Sequence, residues 1–216
     1  MNLNEQRWGS KPSLRPDMEV QIRTIKENDY TSFYKMQYTY LDRESFEDFQ
    51  TKAQRFHDLY MGAFDQDKLL GIVYGHIGGK EGYPVLQGIC VDLDRGIAGQ
   101  GIGTKLLKAF ENAIQEKGYA NVTVGSTNDF KVERFYMKNG WYPIQLVIKV
   151  RGKDVPEDYQ QILAVEASGA YISEPHKDNT TFRIETNDYE KGQKVRAVLI
   201  AKLHAHDGIF IFKKDL

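Results

Sequence analysis

Cysteine is almost absent: the single one among 216 residues, Cys90, rules out a disulfide within the chain. Its neighbours Gly88, Ile89 and Val91 make it a small strand residue rather than a nucleophile. A reducing compartment, the cytoplasm, is the expected location. Charge excess is missing too, with 29 Lys and Arg against 30 Asp and Glu and a net charge of −1. The broad basic field that nucleic acid or an anionic membrane surface requires is therefore lacking, and neither is expected as a partner. No apolar run approaches the roughly 18 residues of a membrane span, and the polar opening MNLNEQRWGSKPSLRPDM has no signal-peptide core. Repeats and low-complexity segments are also wanting. What is present, 41% hydrophobic and 27% charged residues, describes a globular chain with a proper core.

At about 150 residues per domain, the length suggests one ordinary domain and a smaller part. The expected division is a polar arm over 1–17, an α/β domain over 18–151 and a small strand-rich α+β extension over 152–216. VQIRTI alternates as a half-buried strand, and Tyr30, Phe33, Tyr34, Tyr38 and Leu41 recur at helical intervals within one or two helices over 29–60. LYMGAF, the turn DQDK and LLGIVYGHI read as a hairpin, and VLQGICV as a buried strand. From Ile102, the residues Leu106, Leu107, Phe110, Ala113 and Ile114 share one helix face, closed by Gly118. NVTVGS, DFKVERFYMKN and WYPIQLVIKV come next as strand, helix and strand. In the extension, EDYQQILAVEAS reads as a weak helix, while TTFRIET, KVRAVLIA and GIFIF read as strands.

The stretch AGQGIGTKLL sets three glycines on alternate positions directly before a helix. Such a turn suits a phosphate: glycine lets the backbone approach the anion, N–H groups converge on it, and the helix dipole attracts it. A dinucleotide fingerprint is excluded because Thr104 stands where its third glycine belongs, and a P-loop because Lys105 comes after the threonine. The bare alternative is a tight connection with no ligand.

AGQGIG resembles the pyrophosphate-binding loop of the GNAT superfamily of N-acetyltransferases, (Arg/Gln)-Gly-x-Gly-x-(Gly/Ala). Gly99, Gln100, Gly101, Ile102 and Gly103 match, whereas Ala98 replaces the usual Arg or Gln, with Arg95 nearby as a substitute. A second segment agrees: Phe135-Tyr136, Lys138 and Gly140-Trp141 fall where the family has an aromatic-Tyr pair, a Lys and a Gly-aromatic pair. Asn128 stands one position from the family's asparagine, whose own place holds Asp129. The resemblance spans about 20–150. It implies the acyl-CoA N-acyltransferase fold, a mixed, mostly antiparallel central sheet with flanking helices, and acetyl-CoA as co-substrate without a metal.

The resemblance further implies acetyl transfer to a small-molecule or peptide amine. Residues 98–104, Ala98 to Thr104, would sit on the pyrophosphate, with Asn128 close by, and Cys90 and Val91 would offer main-chain groups to the acyl carbonyl and pantetheine. Tyr136 would protonate the departing sulfur; by default it is a core aromatic. An amine near pKa 10.4 costs about 4 to 5 kcal/mol to deprotonate at neutral pH, so a base is expected. Asp92, just past the strand, and His76, at the end of the hairpin, are candidates. Asp42, Glu44, Glu47 and Asp48, set among Tyr38, Tyr40, Phe46 and Phe49, form an acidic aromatic stretch that suits a cationic amine, or a plain solvated helix face. His204 and His206 would share a strand face but lack the further ligands a zinc site needs. Other readings are a non-catalytic acyl-CoA-binding module and a scaffold whose C-terminal part binds a partner. A homodimer is expected from the added strands.

Overall fold

The structure, a computed structural model, describes residues 19–79, 82–92, 100–167, 171–175 and 179–216. The described residues form two compact units, one built from the chain up to Gly82 with Leu86–Gly118, the other from Tyr83–Val85 with Tyr119–Leu216.

In the first unit the strands β1 (Val20–Thr24), β2 (Tyr60–Asp65), β3 (Lys68–Gly78) and the part of β4 (Tyr83–Val91) from Leu86 on are neighbours in that order. β1 pairs antiparallel with β2 from Val20↔Asp65, and β2 with β3 from Tyr60↔Tyr74. The hairpin turns at Gln66, whose φ of 54° lies in the left-handed region. β2 and β3 are buried along nearly their whole length, which is why they read as continuous apolar runs. Helices α1 (Tyr30–Tyr40) and α2 (Phe46–Arg55) place Phe33, Phe49 and Ala53 against Tyr60, Phe64, Ile72 and Tyr74. Phe33 and Phe49 are stacked at 5.6 Å and fully buried; truncating either to Ala costs about 3 to 5 kcal/mol. Gly71 sits at a close approach: a Cβ there would lie 2.8 Å from the Cys90 carbonyl and 3.1 Å from Leu106 of α3 (Ile102–Glu116). Its lack of a side chain lets β3 approach the end of β4.

The second unit contains β5 (Asn121–Gly125), α4 (Phe130–Lys138), β6 (Tyr142–Arg151), α5 (Tyr159–Glu166), β7 (Tyr171–Pro175), β8 (Asn179–Glu185), α6 (Tyr189–Lys202) and β9 (Asp207–Asp215). Its strands run β5-β9-β6-β8-β7 with antiparallel pairings. The fold is thus the expected mixed one, rich in antiparallel pairs. β9 lies between β5 and β6, so residues beyond 152 supply part of the sheet that holds those strands.

One expected strand is a helix. KVRAVLIA belongs to α6, opened by Asp188, whose side chain accepts from Lys191 N at 3.0 Å. Its valines and isoleucine imitate a strand, while the buried helical face is carried by Tyr189, Gly192, Arg196 and Leu199, of which only two are apolar. Gly192 faces Phe210 of β9, where a Cβ would come within 2.7 Å.

Candidate active site

The first unit carries the glycine turn. Gly101 is the N-cap of α3 with φ 81°, and nothing lies within 4 Å of where its Cβ would be, so the backbone conformation rather than crowding demands glycine. Gly101 O accepts from Lys105 N at 3.0 Å, closing the first helical turn. The opening N–H groups of a helix lie outside its own ladder, and this terminus has neither a capping side chain nor an acidic residue in its first turn. Ile102 is buried and anchors the turn, whereas Thr104 is exposed and Gly103 half-buried. The Gln100 side-chain oxygen is buried and has no hydrogen-bond partner among the described residues. Donors left open at the positive end of a helix fit a phosphate group. Ala98, Gly99 and Arg95 lie outside the described residues.

At the end of β4, Cys90 and Val91 are half-buried. Burial, with Asp92 adding to it, pushes the Cys90 thiol up to about 12, which suits the inert strand residue expected. The Asp92 backbone N–H donates to Leu70 O at 2.8 Å, and the residue borders a cavity of about 400 Å³ beside Ser32, Lys35 and Met36 of α1.

A larger cleft of about 550 Å³ lies between α2 and the β3–β4 surface, bordered among others by Asp42, Glu44, Lys52, Arg55, Tyr74 and His76. The Tyr74 hydroxyl donates to Asp42 Oδ2 at 2.7 Å, with Gln87 Nε2 at 3.4 Å from the same oxygen. Burial, reinforced by Asp42, raises the phenols of Tyr60 and Tyr74 well above their usual range. Burial and the nearby Lys52 charge lower the pKa of His76. Glu44 accepts from Gln37 at 2.5 Å and pairs with Lys52. Of the four acids in LDRESFEDF, only Asp42 and Glu44 border the cleft. Glu47 and Asp48 lie in the first turn of α2, where Ser45 caps the helix by accepting from Asp48 N at 3.1 Å. Lys52 and Arg55 belong to no motif of the sequence; three positions apart, they are neighbours on the surface of α2, which was the available signal.

In the second unit, Tyr136 is 3% exposed, its ring 5.6 Å from Trp141 and 5.9 Å from Phe212. Burial raises its pKa, and its hydroxyl has no hydrogen-bond partner among the described residues. One turn earlier on α4, fully buried Glu133 accepts from Arg196, Tyr189, Gln193 and Ser126. Asn128 is exposed, and Asp129 caps α4 by accepting from Lys131 N at 2.7 Å. His204 lies just past α6 in the left-handed region, φ 51°, so the shared strand face for His204 and His206 does not exist.

The model of the acetyltransferase (GNAT) family matches residues 21–141. No curated protein matches the sequence significantly. Among solved structures, Ard1 from Thermoplasma volcanium is 15% identical with a TM-score of 0.53, over 78% of this chain and 99% of its own. An acetyltransferase of the GNAT family from Streptococcus pneumoniae is 15% identical with a TM-score of 0.53, over 92% of this chain and 100% of its own. Arabidopsis thaliana Naa50, in complex with the bisubstrate analogue CoA-Ac-MVNAL, is 12% identical with a TM-score of 0.51, over 76% of this chain and 97% of its own.

Proposed function

The chain belongs to the GNAT family of acetyltransferases, and from that premise we propose that it moves an acetyl group from acetyl-CoA to a small-molecule or peptide amine bound in the cleft beside Asp42. The observation that carries this reading is the start of α3: a left-handed glycine cap, no acid in the first turn and open backbone donors. Gly101, Ile102, Gly103 and Thr104, with Ala98, Gly99 and Gln100 before them, are the residues that would hold the pyrophosphate; Asn128 would lie beside it, and Cys90 and Val91 would present main-chain groups to the pantetheine.

Bound acetyl-CoA supplies an activated acyl group. The amine nitrogen bonds the acyl carbon as the carbon–sulfur bond breaks; the nitrogen gives up a proton and the sulfur takes one, so the products are an amide and a free thiol. Tyr136 is proposed to give that proton. Burial keeps its phenol protonated at neutral pH, and the hydroxyl has no hydrogen-bond partner among the described residues. The same burial makes full transfer to a thiolate more uphill, so the hydrogen bond from Tyr136 strengthens as the sulfur gains charge. For the amine's proton, Asp92 and Asp42 open on different cavities. We favour the Asp42 cleft, where His76, its pKa lowered by burial and the nearby Lys52 charge, is neutral and able to accept the proton.

Tyr136→Phe tests the reading. Thiol release should fall about a hundredfold or more while coenzyme A binding by calorimetry is kept. Full activity would remove Tyr136 from the mechanism, and binding without turnover in the wild type would leave a non-catalytic module.

A further inference from the structure

The cleft beside α2 is bordered by charges of both signs, and they are not all answered. Lys52 pairs with Glu44, and Glu44 takes a second bond from Gln37. Asp42 is bonded only by neutral donors, the Tyr74 hydroxyl and the Gln87 amide, and has no cationic partner among the described residues. Arg55, at the last turn of α2, lies 5.0 Å over the Phe56 ring and has no carboxylate partner among the described residues. One unanswered anion and one unanswered cation thus border the same cavity of about 550 Å³. Tyr74 is 1% exposed and fixes Asp42 through a bond that occupies one carboxylate oxygen and leaves the other open. Arg55, by contrast, is exposed and reaches the cleft from its rim.

We propose that this cleft selects a zwitterionic acceptor, a small molecule whose primary amine binds Asp42 and whose carboxylate or phosphate binds Arg55. A simple diamine would place a second cation against Arg55 and Lys52, and a plain alkylamine would leave Arg55 unanswered. A guanidinium also offers a planar fork that carboxylate and phosphate accept in two bonds, which an ammonium cannot match. His76, next to the same wall, is held neutral and adds no competing cation. The fate of the bound amine rests on the acetyl-transfer reading, but its recognition does not.

The test sets ω-amino acids and aminoalkyl phosphates beside the alkylamines and diamines of matching length, read by thiol release and, separately, by calorimetric binding to the full chain. The expected result is a preference for the zwitterions of about ten- to a hundredfold in kcat/KM over both comparison sets, the worth of one charge-assisted bond. Carboxylate and phosphate members tell which anion is preferred. Arg55→Gln should bring that preference close to one, and Arg55→Glu should invert it toward diamines, a reversal that a merely structural arginine would not produce. Asp42→Asn should weaken binding of every amine. If amines are acetylated but diamines equal or exceed the zwitterions, the inference falls and the acetyl transfer stands. If zwitterions bind in an Arg55- and Asp42-dependent way but none is acetylated, the pocket stands and the proposed reaction falls.

Discussion

Arg196→Met tests what the buried carboxylate of Glu133 needs. Glu133 is fully buried and Arg196 is 8% exposed. The guanidinium gives two bonds, Nη1 to Oε1 at 2.5 Å and Nη2 to Oε2 at 3.3 Å, and also reaches Gly208 O at 3.3 Å. Methionine keeps most of the stem and removes the charge, which leaves a carboxylate in the interior with only neutral donors. Breaking a buried pair from one side costs roughly 3 to 5 kcal/mol. Tyr189 at 2.5 Å and Gln193 at 2.8 Å remain bonded to the carboxylate and hold the loss near the lower end. With a urea m-value of about 2 kcal/mol/M, a loss of about 3 kcal/mol lowers the unfolding midpoint by roughly 1.5 M. The companion Glu133→Leu in the Arg196→Met background should recover most of that, since both charges are then gone. A loss under about 1 kcal/mol, or a double variant as weak as the two singles summed, would refute the view that the pair is held by mutual need.

Cys90, its thiol raised to about 12, should be nearly inert to Ellman's reagent at pH 7 in the folded protein and react at once in denaturant, a thiolate fraction of about 10⁻⁵ setting the rate. Rapid native-state labelling would contradict its placement. The Arg23 guanidinium, bonded to Asp29 at 2.6 and 3.1 Å, holds that carboxyl below its usual range. Since the folded pKa is depressed, the stabilisation is complete above about 3.9, the unfolded value, and is lost as pH falls through the lower folded one. Carbon NMR titration of Asp29 should therefore show a low midpoint that rises in Arg23→Gln. Gly101→Ala, forced into φ 81°, should cost about 1 kcal/mol in stability and weaken coenzyme A binding, measured by calorimetry; unchanged affinity would separate this turn from the pyrophosphate.

Some of the molecule is legible in the chain and some is not, for physical reasons. α3 begins at Ile102 as expected, because Leu106, Leu107, Phe110 and Ile114 repeat along one face and glycine marks both ends. Gly101 stands out through the spacing of its glycines, whereas Tyr136 stands out only through the family resemblance. α6 reads as a strand because its buried face holds Gly192 and Arg196 in place of apolar residues, and the charge of Arg196 is answered there by Glu133, 63 positions away. The cleft is only half legible for a similar reason. Asp42 meets Tyr74 across 32 positions and Gln87 across 45, and no local period records such meetings. The acids of LDRESFEDF look like one cluster, yet helix capping takes some and the cleft takes others.

β9 has a consequence for how the second unit comes into being. β5 and β6 are close in sequence, yet neither completes its hydrogen bonds until Asp207–Asp215 slides in between them. During synthesis at the ribosome, these two strands must wait through roughly sixty further residues with unpaired edges, the interval in which chaperones would be most needed. Shortening the chain before Asp207 would part β5 from β6, β8 and β7 rather than trim the rim.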